Sequence, residues 1–302
     1  MYNKTIKQEY LSSLNLTKKV TISTTAYFNL IEPFEEDKEK DLAFFDLDEI
    51  LSVYKSINAA TVNYLNTLTA TYRMYTQYCI DNKIFDCKNN YKDITLDMMS
   101  DCVDKELVKK KIINREQLLN ICKEISPREA FAMLCLFEGV EGKMYSDILN
   151  LKIADFDFEN RILHLPDRDI KVSDELIYYA KKANEATITY YYPSMTEMQL
   201  LPSPYIIKHT IIARGSTVVP VSGRNLMEAI RKVLKMCGLD EYIAPRNIRE
   251  SGKIYYIRLR QSETGLSFKE LISKKSEVKK IEERFGCKIN PRLSLRTYGD
   301  HL

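Results

Sequence analysis

The 302-residue chain has no tryptophan and only three histidines, and none of its seven cysteines forms a Cys-x-x-Cys pair. A structural zinc site needs four thiolate or imidazole ligands at close spacing, which scattered cysteines and so few histidines do not supply. We therefore predict no metal and no cofactor. The cysteines are expected to be reduced and mostly buried.

Long apolar runs are also missing. The longest, such as residues 130–137, are far shorter than the roughly 18 residues that a transmembrane helix requires. Residues 1–10 are polar and do not resemble a secretory signal. These absences favour a soluble, cytoplasmic protein that does not act at a membrane.

What the chain does contain is enough apolar sequence for two globular domains. Hydrophobic residues make up 45% of the 302 positions, so each half can bury its own core. The patterns predict a mainly α fold with a small antiparallel sheet. We expect an N-terminal segment over residues 1–40 with an acidic linking run at 35–41, a helical domain over 41–125 and a second domain over 126–302.

The net charge of +3 hides an uneven distribution along the chain. Residues 1–125 carry 17 basic and 19 acidic side chains, whereas residues 246–296 carry 14 basic and six acidic ones. Such a concentration of positive charge is expected of a face that binds a polyanion. A solvated lysine-rich helix explains residues 269–280 equally well, so charge alone leaves both interpretations open.

The first domain is predicted to be helical. Asp46 and Glu49 have capping-box spacing at the start of its first helix, and later helices are expected over 95–104 and 115–123.

The main helix of this domain lies between them and has two faces that differ in character. Steps of three and four predict one buried stripe on the main helix, made of Val62, Leu65, Leu68, Tyr72, Tyr75 and Cys79. The opposite face suits either a phosphate backbone or water, with Asn63, Asn66, Thr67 and Arg73.

The second domain begins with a clear helix start, in which Ser126 caps, Pro127 follows and Glu129 completes a capping box. The alternation of residues then predicts a three-stranded antiparallel unit over 153–158, 161–165 and 170–172. Residues 193–204 are expected to form a loop, and Arg214-Gly215 a turn. Helices are predicted at 128–138, 146–151, from Ser173, at 223–237 after the Ser222 cap, and from Pro245.

This order of elements resembles the catalytic domain of tyrosine recombinases, the phage integrase family. The most specific local matches are residues 146–152 with Asp155 and the block 245–252, which contains Arg246-x-x-Arg249. The first domain is similar to the core-binding domain of that family, so the resemblance covers about residues 40–300. It implies a two-domain clamp around DNA and a tyrosine that attacks a backbone phosphate. Two arginines, a lysine and two histidines assist that attack.

The sequence departs from this pattern at most of the positions that carry the chemistry. Met144 stands at the place of the first arginine, Arg246 replaces a histidine and Cys287 replaces the other histidine. The second arginine is retained as Arg249, and Tyr298 lies two residues beyond the expected nucleophile. A tail tyrosine that packs or hydrogen-bonds explains Tyr298 with fewer requirements than a nucleophile lacking an arginine and both histidines.

A recombinase-like protein without these groups is expected to bind DNA without cutting it. The chain is similar in length, domain order and altered active site to repressors that maintain lysogeny in SPbeta-type temperate phages. That similarity implies repression of lytic phage genes through operator DNA, and a phage-encoded antirepressor or regulatory protein as a second partner. An active recombinase that cuts through Tyr298 is the alternative, and an interaction protein without DNA affinity is the third.

The expected DNA contacts fall into two groups. Backbone contacts near the former active site are expected from Lys143, Arg246, Arg249 and Lys253. Further contacts are expected from Arg168 or Lys171 in the hairpin, Arg214 and Arg224 around the next helix, and Asn63, Thr67 and Arg73 in the first domain.

Overall fold

A computed structural model describes residues 1–15, 17–210 and 219–290. The chain divides into two compact units, Met1–Val108 and Lys109–Leu302. This boundary lies nearer the N-terminus than the division at residue 125 expected from the sequence. The reason is that the helix Arg115–Glu124 buries Leu118 and Cys122 in the same core as the helix that follows it.

The first unit consists of helices joined by turns and loops, and its described residues contain no strand. Two short 3₁₀ segments, Leu42–Phe44 and Asn90–Lys92, interrupt the helices. Its helices are α1 (Lys4–Ser13), α2 (Lys18–Asp37), α3 (Leu47–Ser56), α4 (Val62–Asp81), α5 (Leu96–Asp101) and α6 (Lys105–Lys110), the last of which crosses the unit boundary.

Residues 1–40 belong to the core of the first unit rather than forming a separate segment. The rings of Tyr10 from α1 and Phe28 from α2 lie 6.1 Å apart, and Tyr75 of α4 lies 5.5 Å from Tyr10. The acidic run at 35–41 is not a solvated linker, because Glu35 is fully buried against Lys7. Helix α2 was concealed in the sequence because residues 20–25 are β-branched or serine and Pro33 lies inside the helix.

The predicted cap at Asp46 and the predicted buried stripe of α4 are confirmed. Asp46 caps α3 by accepting a hydrogen bond from the Glu49 backbone N–H at 2.8 Å, while the Glu49 carboxylate accepts from the Asp46 N–H at 2.9 Å. The apolar stripe of α4 is buried from Val62 to Cys79. One face of α4 therefore forms the wall of the core, and the other remains in solvent.

The second unit combines helices with two small sheets. After α7 (Arg115–Glu124) and α8 (Pro127–Glu138) come a three-stranded antiparallel sheet and then a two-stranded one. The strands are β1 (Phe156–Asp157), β2 (Ile162–His164), β3 (Asp169–Lys171), β4 (Ile188–Tyr191) and β5 (Thr196–Gln199). The other helices are α9 (Ser146–Asn150), α10 (Asp174–Glu185), α11 (Gly223–Met236), α12 (Pro245–Thr264), α13 (Phe268–Ser273) and α14 (Lys275–Phe285).

Helix α8 is the centre of this unit, and every residue from Arg128 to Glu138 is buried. The predicted capping box at its start is wrong. The Ser126 hydroxyl makes no cap hydrogen bond to the backbone and instead contacts the Glu129 carboxylate and, at 2.9 Å, the Thr189 hydroxyl. Burial explains the change, since Glu129 also pairs with Arg128 and its charge must be satisfied by side chains.

The mainly α fold with a three-stranded antiparallel sheet is confirmed, with two corrections. The first strand is shorter than predicted, because Ile153–Asp155 forms a 3₁₀ turn in which Asp155 accepts from the Lys152 N–H at 2.7 Å. The predicted loop at 193–204 contains β5, which pairs with β4 from Ile188↔Gln199 to Tyr191↔Thr196. None of the helices in the described ranges combines the length and hydrophobicity that a transmembrane span requires.

Candidate nucleic-acid interface

A strained turn joins α8 to α9 at the place where the sequence resemblance put the first arginine. Gly139 ends α8 in the left-handed region, and Gly142 follows with φ 68°. Met144 and Tyr145 are then left-handed too, with φ of 55° and 68°. Side chains in this region cost about 1–3 kcal/mol each and persist only where the surroundings enforce them.

Close packing enforces this turn. A Cβ on Gly223, the first residue of α11, would lie 2.6 Å from the Met144 carbonyl oxygen and 3.1 Å from the Tyr145 ring. Glycine is therefore required where α11 begins. The turn thus packs against Gly223, the residue before Arg224, and both Lys143 and Arg224 are exposed.

Arg249 of α12 reaches this turn but is held by protein groups. Its Nε lies 2.9 Å from a carboxylate oxygen of Glu141, and its Nη2 donates to the Phe285 carbonyl at 2.8 Å. The side chain is 16% exposed. The retained arginine therefore already has an anionic partner within its own chain.

Arg168 from the β2–β3 connection is held in the same way. Its guanidinium lies 3.4 Å from Asp147 and 2.7 Å from Asp167, and Nη2 donates to the Gly139 carbonyl at 3.3 Å. Gly286 permits the approach, because a Cβ there would lie 2.9 Å from Nη1. The buried Nε atoms of Arg168 and Arg249 have no hydrogen-bond partner of good geometry among the described residues.

Lys253 is the third predicted contact that faces inward. It is buried, its Nζ lies 3.1 Å from Glu250, and it stands 5.9 Å from the centre of the Phe285 ring. Arg246, near the start of α12, is exposed. Two cations of the first part of α12 therefore differ in environment, since Arg246 is in solvent and Lys253 is in the interior.

An ion pair between Arg284 and Glu138 joins the elements around the turn. Arg284 of α14 lies 3.2 Å from Glu138 and donates to the Lys171 carbonyl at 2.7 Å. Glu138 also accepts from the Ser173 N–H at 3.1 Å. Burial raises the pKa of Glu138 above its ordinary value, against the attraction of Arg284. These contacts connect the end of α8 to the end of strand β3 and to α14.

The predicted site residues thus separate by environment. Four cations of the second unit are exposed and have no side-chain partner within the described part of the chain: Lys143, Lys171, Arg224 and Arg246. Cys287 is half-buried. Arg214 and Tyr298 lie outside the described residues.

In the first unit, Asn63, Thr67 and Arg73 are all exposed on α4. The Thr67 hydroxyl donates to the Asn63 carbonyl at 2.9 Å, which leaves its oxygen available as an acceptor. These three side chains form a polar face of that unit, as the pattern predicted.

Sequence reasoning missed Glu141, Asp147 and Arg284, the groups that pair with the site's cations or brace it. One signal was present in the sequence, since Glu141 directly precedes the turn glycine Gly142 and Asp147 lies in the first turn of the next helix. Within the described ranges, no group of three or more His, Cys, Asp or Glu residues is arranged to hold a metal ion. The site is therefore a cluster of arginines and lysines, partly neutralised by carboxylates.

Two family models match the chain and together span most of it. One, described as the C-terminal catalytic domain of MrpR, matches residues 112–298, and the other, the N-terminal core-binding domain of MrpR, matches residues 1–81. No curated protein matches the chain.

Solved structures of integrases and recombinases are similar to the chain at low identity. A Tn1549 transposon integrase in complex with circular intermediate DNA is 13% identical, with 98% of this chain and 93% of that chain covered and a TM-score of 0.48. XerA recombinase is 14% identical, with coverages of 97% and 96% and a TM-score of 0.39. A lambda integrase tetramer bound to a Holliday junction is 13% identical, with coverages of 95% and 77% and a TM-score of 0.48.

Proposed function

The chain belongs to the MrpR family, and from that premise we propose that it is a DNA-binding repressor that holds duplex DNA without cutting it. In this role it binds operator DNA in the bacterial cytoplasm, at the nucleoid, and keeps the lytic genes of a temperate phage silent. A phage-encoded antirepressor or regulatory protein is the proposed second partner. The resemblance to lysogeny repressors supports this assignment.

The observation that carries the proposal is the pairing of Arg249 with Glu141 at 2.9 Å. Strand cleavage passes through a phosphorane that gains negative charge, which fixed cations must stabilise. A carboxylate at the retained arginine opposes that charge, and Met144 supplies no donor in place of the other arginine. Loss of one preorganised donor alone commonly lowers the rate by about 10²–10³-fold.

DNA binding makes weaker demands on the same surface. Lys143, Lys171, Arg224 and Arg246 are exposed, and each can meet a backbone phosphate without displacing a partner among the described residues. Arg246 carries a permanent charge where a histidine would titrate. The paired cations, Arg168, Arg249 and Lys253, can contact phosphate only when their carboxylate partners move away.

The first test is chemical. We expect no covalent protein–DNA complex when the protein is incubated with nicked duplexes that trap a phosphotyrosine link, and Tyr298→Phe should behave like the parent. A known active tyrosine recombinase on its own nicked site serves as the positive control. A trapped band that disappears in Tyr298→Phe would show strand cleavage and overturn the proposal.

The second test concerns binding. Arg246→Ala should weaken binding to all duplexes similarly and reduce the slope of log K against log salt by about 1, because one phosphate contact is lost. Fluorescence anisotropy across a salt titration measures both effects. Arg231→Ala is the matched control, since Arg231 is an exposed arginine of α11 that already pairs with Glu228 at 3.6 Å. Equal slopes for parent and Arg246→Ala would exclude Arg246 from the DNA face.

A further inference from the structure

Met144 is the most exposed large apolar side chain in the part of the chain that the structure describes. It is 75% exposed, whereas the other large apolar side chains of the turn and of α9 are buried or half-buried. Its backbone is left-handed, with φ 55° and ψ 32°. Residues with unfavourable backbone conformations cluster at functional sites, so the exposure of Met144 points to a function for its side chain.

The surroundings fix this conformation from both sides. Tyr145 packs against the main core of the unit, and its N–H donates to the Gly142 carbonyl at 3.3 Å. The Asp147 N–H donates to the Glu141 carbonyl at 3.2 Å, which closes the turn. Met144 therefore projects from a rigid support rather than from a loose loop.

Two exposed cations lie near the methionine along the backbone. Lys143 precedes it in the chain, and Arg224 follows Gly223, which packs so closely on the Met144 carbonyl oxygen that a Cβ would lie 2.6 Å from it. An apolar side chain next to a cation suits a duplex, in which charged phosphates border apolar sugars and base edges. The thioether itself has no donor for a phosphate oxygen.

We infer that Met144 makes an apolar contact with the base pairs of bound DNA and is a specificity-determining residue. This inference rests on the proposed function. Lys143 and Arg224 bind nearby backbone phosphates, while the Met144 side chain meets a thymine methyl group or presses against a base step in the adjoining groove. Base preference at that place then depends on apolar volume rather than on a hydrogen bond.

Selection of the full chain's preferred sites from a pool of randomised 30-base-pair duplexes tests this contact and does not require the operator sequence. The parent should enrich a sequence motif. Met144→Ala should lose preference at one or two adjacent positions, by about fivefold or more in relative affinity. Its affinity for the unselected pool should fall much less than its affinity for the enriched motif, and its melting temperature should stay unchanged. Met144→Leu should restore the preference because it restores apolar volume.

Met195→Ala is the matched control, because Met195 is also left-handed, with φ 55°, and 43% exposed, but lies in the β4–β5 turn. That variant should select the parent's motif. If Met144→Ala selects the parent's motif unchanged, the inference is wrong while the proposed function stands. If the parent binds no duplex in the pool, the proposed function fails and this inference falls with it.

Discussion

Replacing Gly252 by alanine is expected to lower the free energy of unfolding of the second unit by about 3 kcal/mol, near the upper end of the usual cost of overpacking. Gly252 lies where α12 crosses α8, and a Cβ there would stand 1.7 Å from the Phe137 carbonyl oxygen and 2.5 Å from its carbon. Helix propensity alone predicts a gain of about 1 kcal/mol for this change. The clash outweighs it, because the obstacle is the backbone of a helix buried throughout.

Urea denaturation followed by circular dichroism measures the loss. Gly265→Ala is the control, since Gly265 has φ 68° and open space where the Cβ would be. That variant should lose only about 1–2 kcal/mol, the strain of a left-handed side chain. A Gly252→Ala protein as stable as its parent would mean that α8 and α12 do not pack this closely. Because α12 carries Arg246 and Arg249, the same variant should also weaken DNA binding.

The sequence predicts well those elements whose structure depends on residues close to one another in the chain. The stripe of α4 and the caps at Asp46 and Ser222 each depend on residues within a few positions, and all three are present. Ser126 shows the limit of that reasoning. Its capping-box pattern is complete in the sequence, but burial of Glu129 beside Arg128 gives the hydroxyl a different partner.

The electrostatic character of the site could not be predicted in the same way. Arg249 and Arg168 were identifiable from the motifs, but their partners Glu141 and Asp147 come from other parts of the chain. Sequence alone therefore assigns Arg246 and Arg249 similar roles as phosphate contacts. Tertiary packing separates them, leaving Arg246 in solvent and placing Arg249 against Glu141.

Replacing Lys7 by methionine is expected to lower the free energy of unfolding of the first unit by about 3–5 kcal/mol at pH 8, because a buried carboxylate loses its counter-ion. The Nζ of Lys7 lies 2.6 Å from Glu35, and both side chains are fully buried. Aromatic rings surround the ammonium group, with the centres of Phe28 and Tyr75 at 5.5 and 5.8 Å. Water cannot replace the lost partner in such a place.

Lys40→Met is the matched control for removing a lysine from an ion pair. Lys40 lies 2.8 Å from Glu49, but the pair is partly exposed, so its loss should cost less than about 1 kcal/mol. Chemical denaturation of both variants at pH 8 gives the comparison. Similar losses for Lys7→Met and Lys40→Met would contradict the burial of the Lys7–Glu35 pair.

The pH dependence follows from the same pair. Burial raises the pKa of Glu35 from 4.5 to about 7, against the attraction of Lys7. Between these two values the unfolded chain binds fewer protons than the folded one, so stability should fall as the pH rises from 4.5 to 7 and level off above it. The raised pKa also means that burying the charge outweighs the attraction within the pair. Lys7→Met/Glu35→Leu should therefore be more stable than Lys7→Met at pH 8 and should lose this part of the pH dependence, although the Leu42 N–H loses the Glu35 oxygen that accepts its hydrogen bond at 2.8 Å.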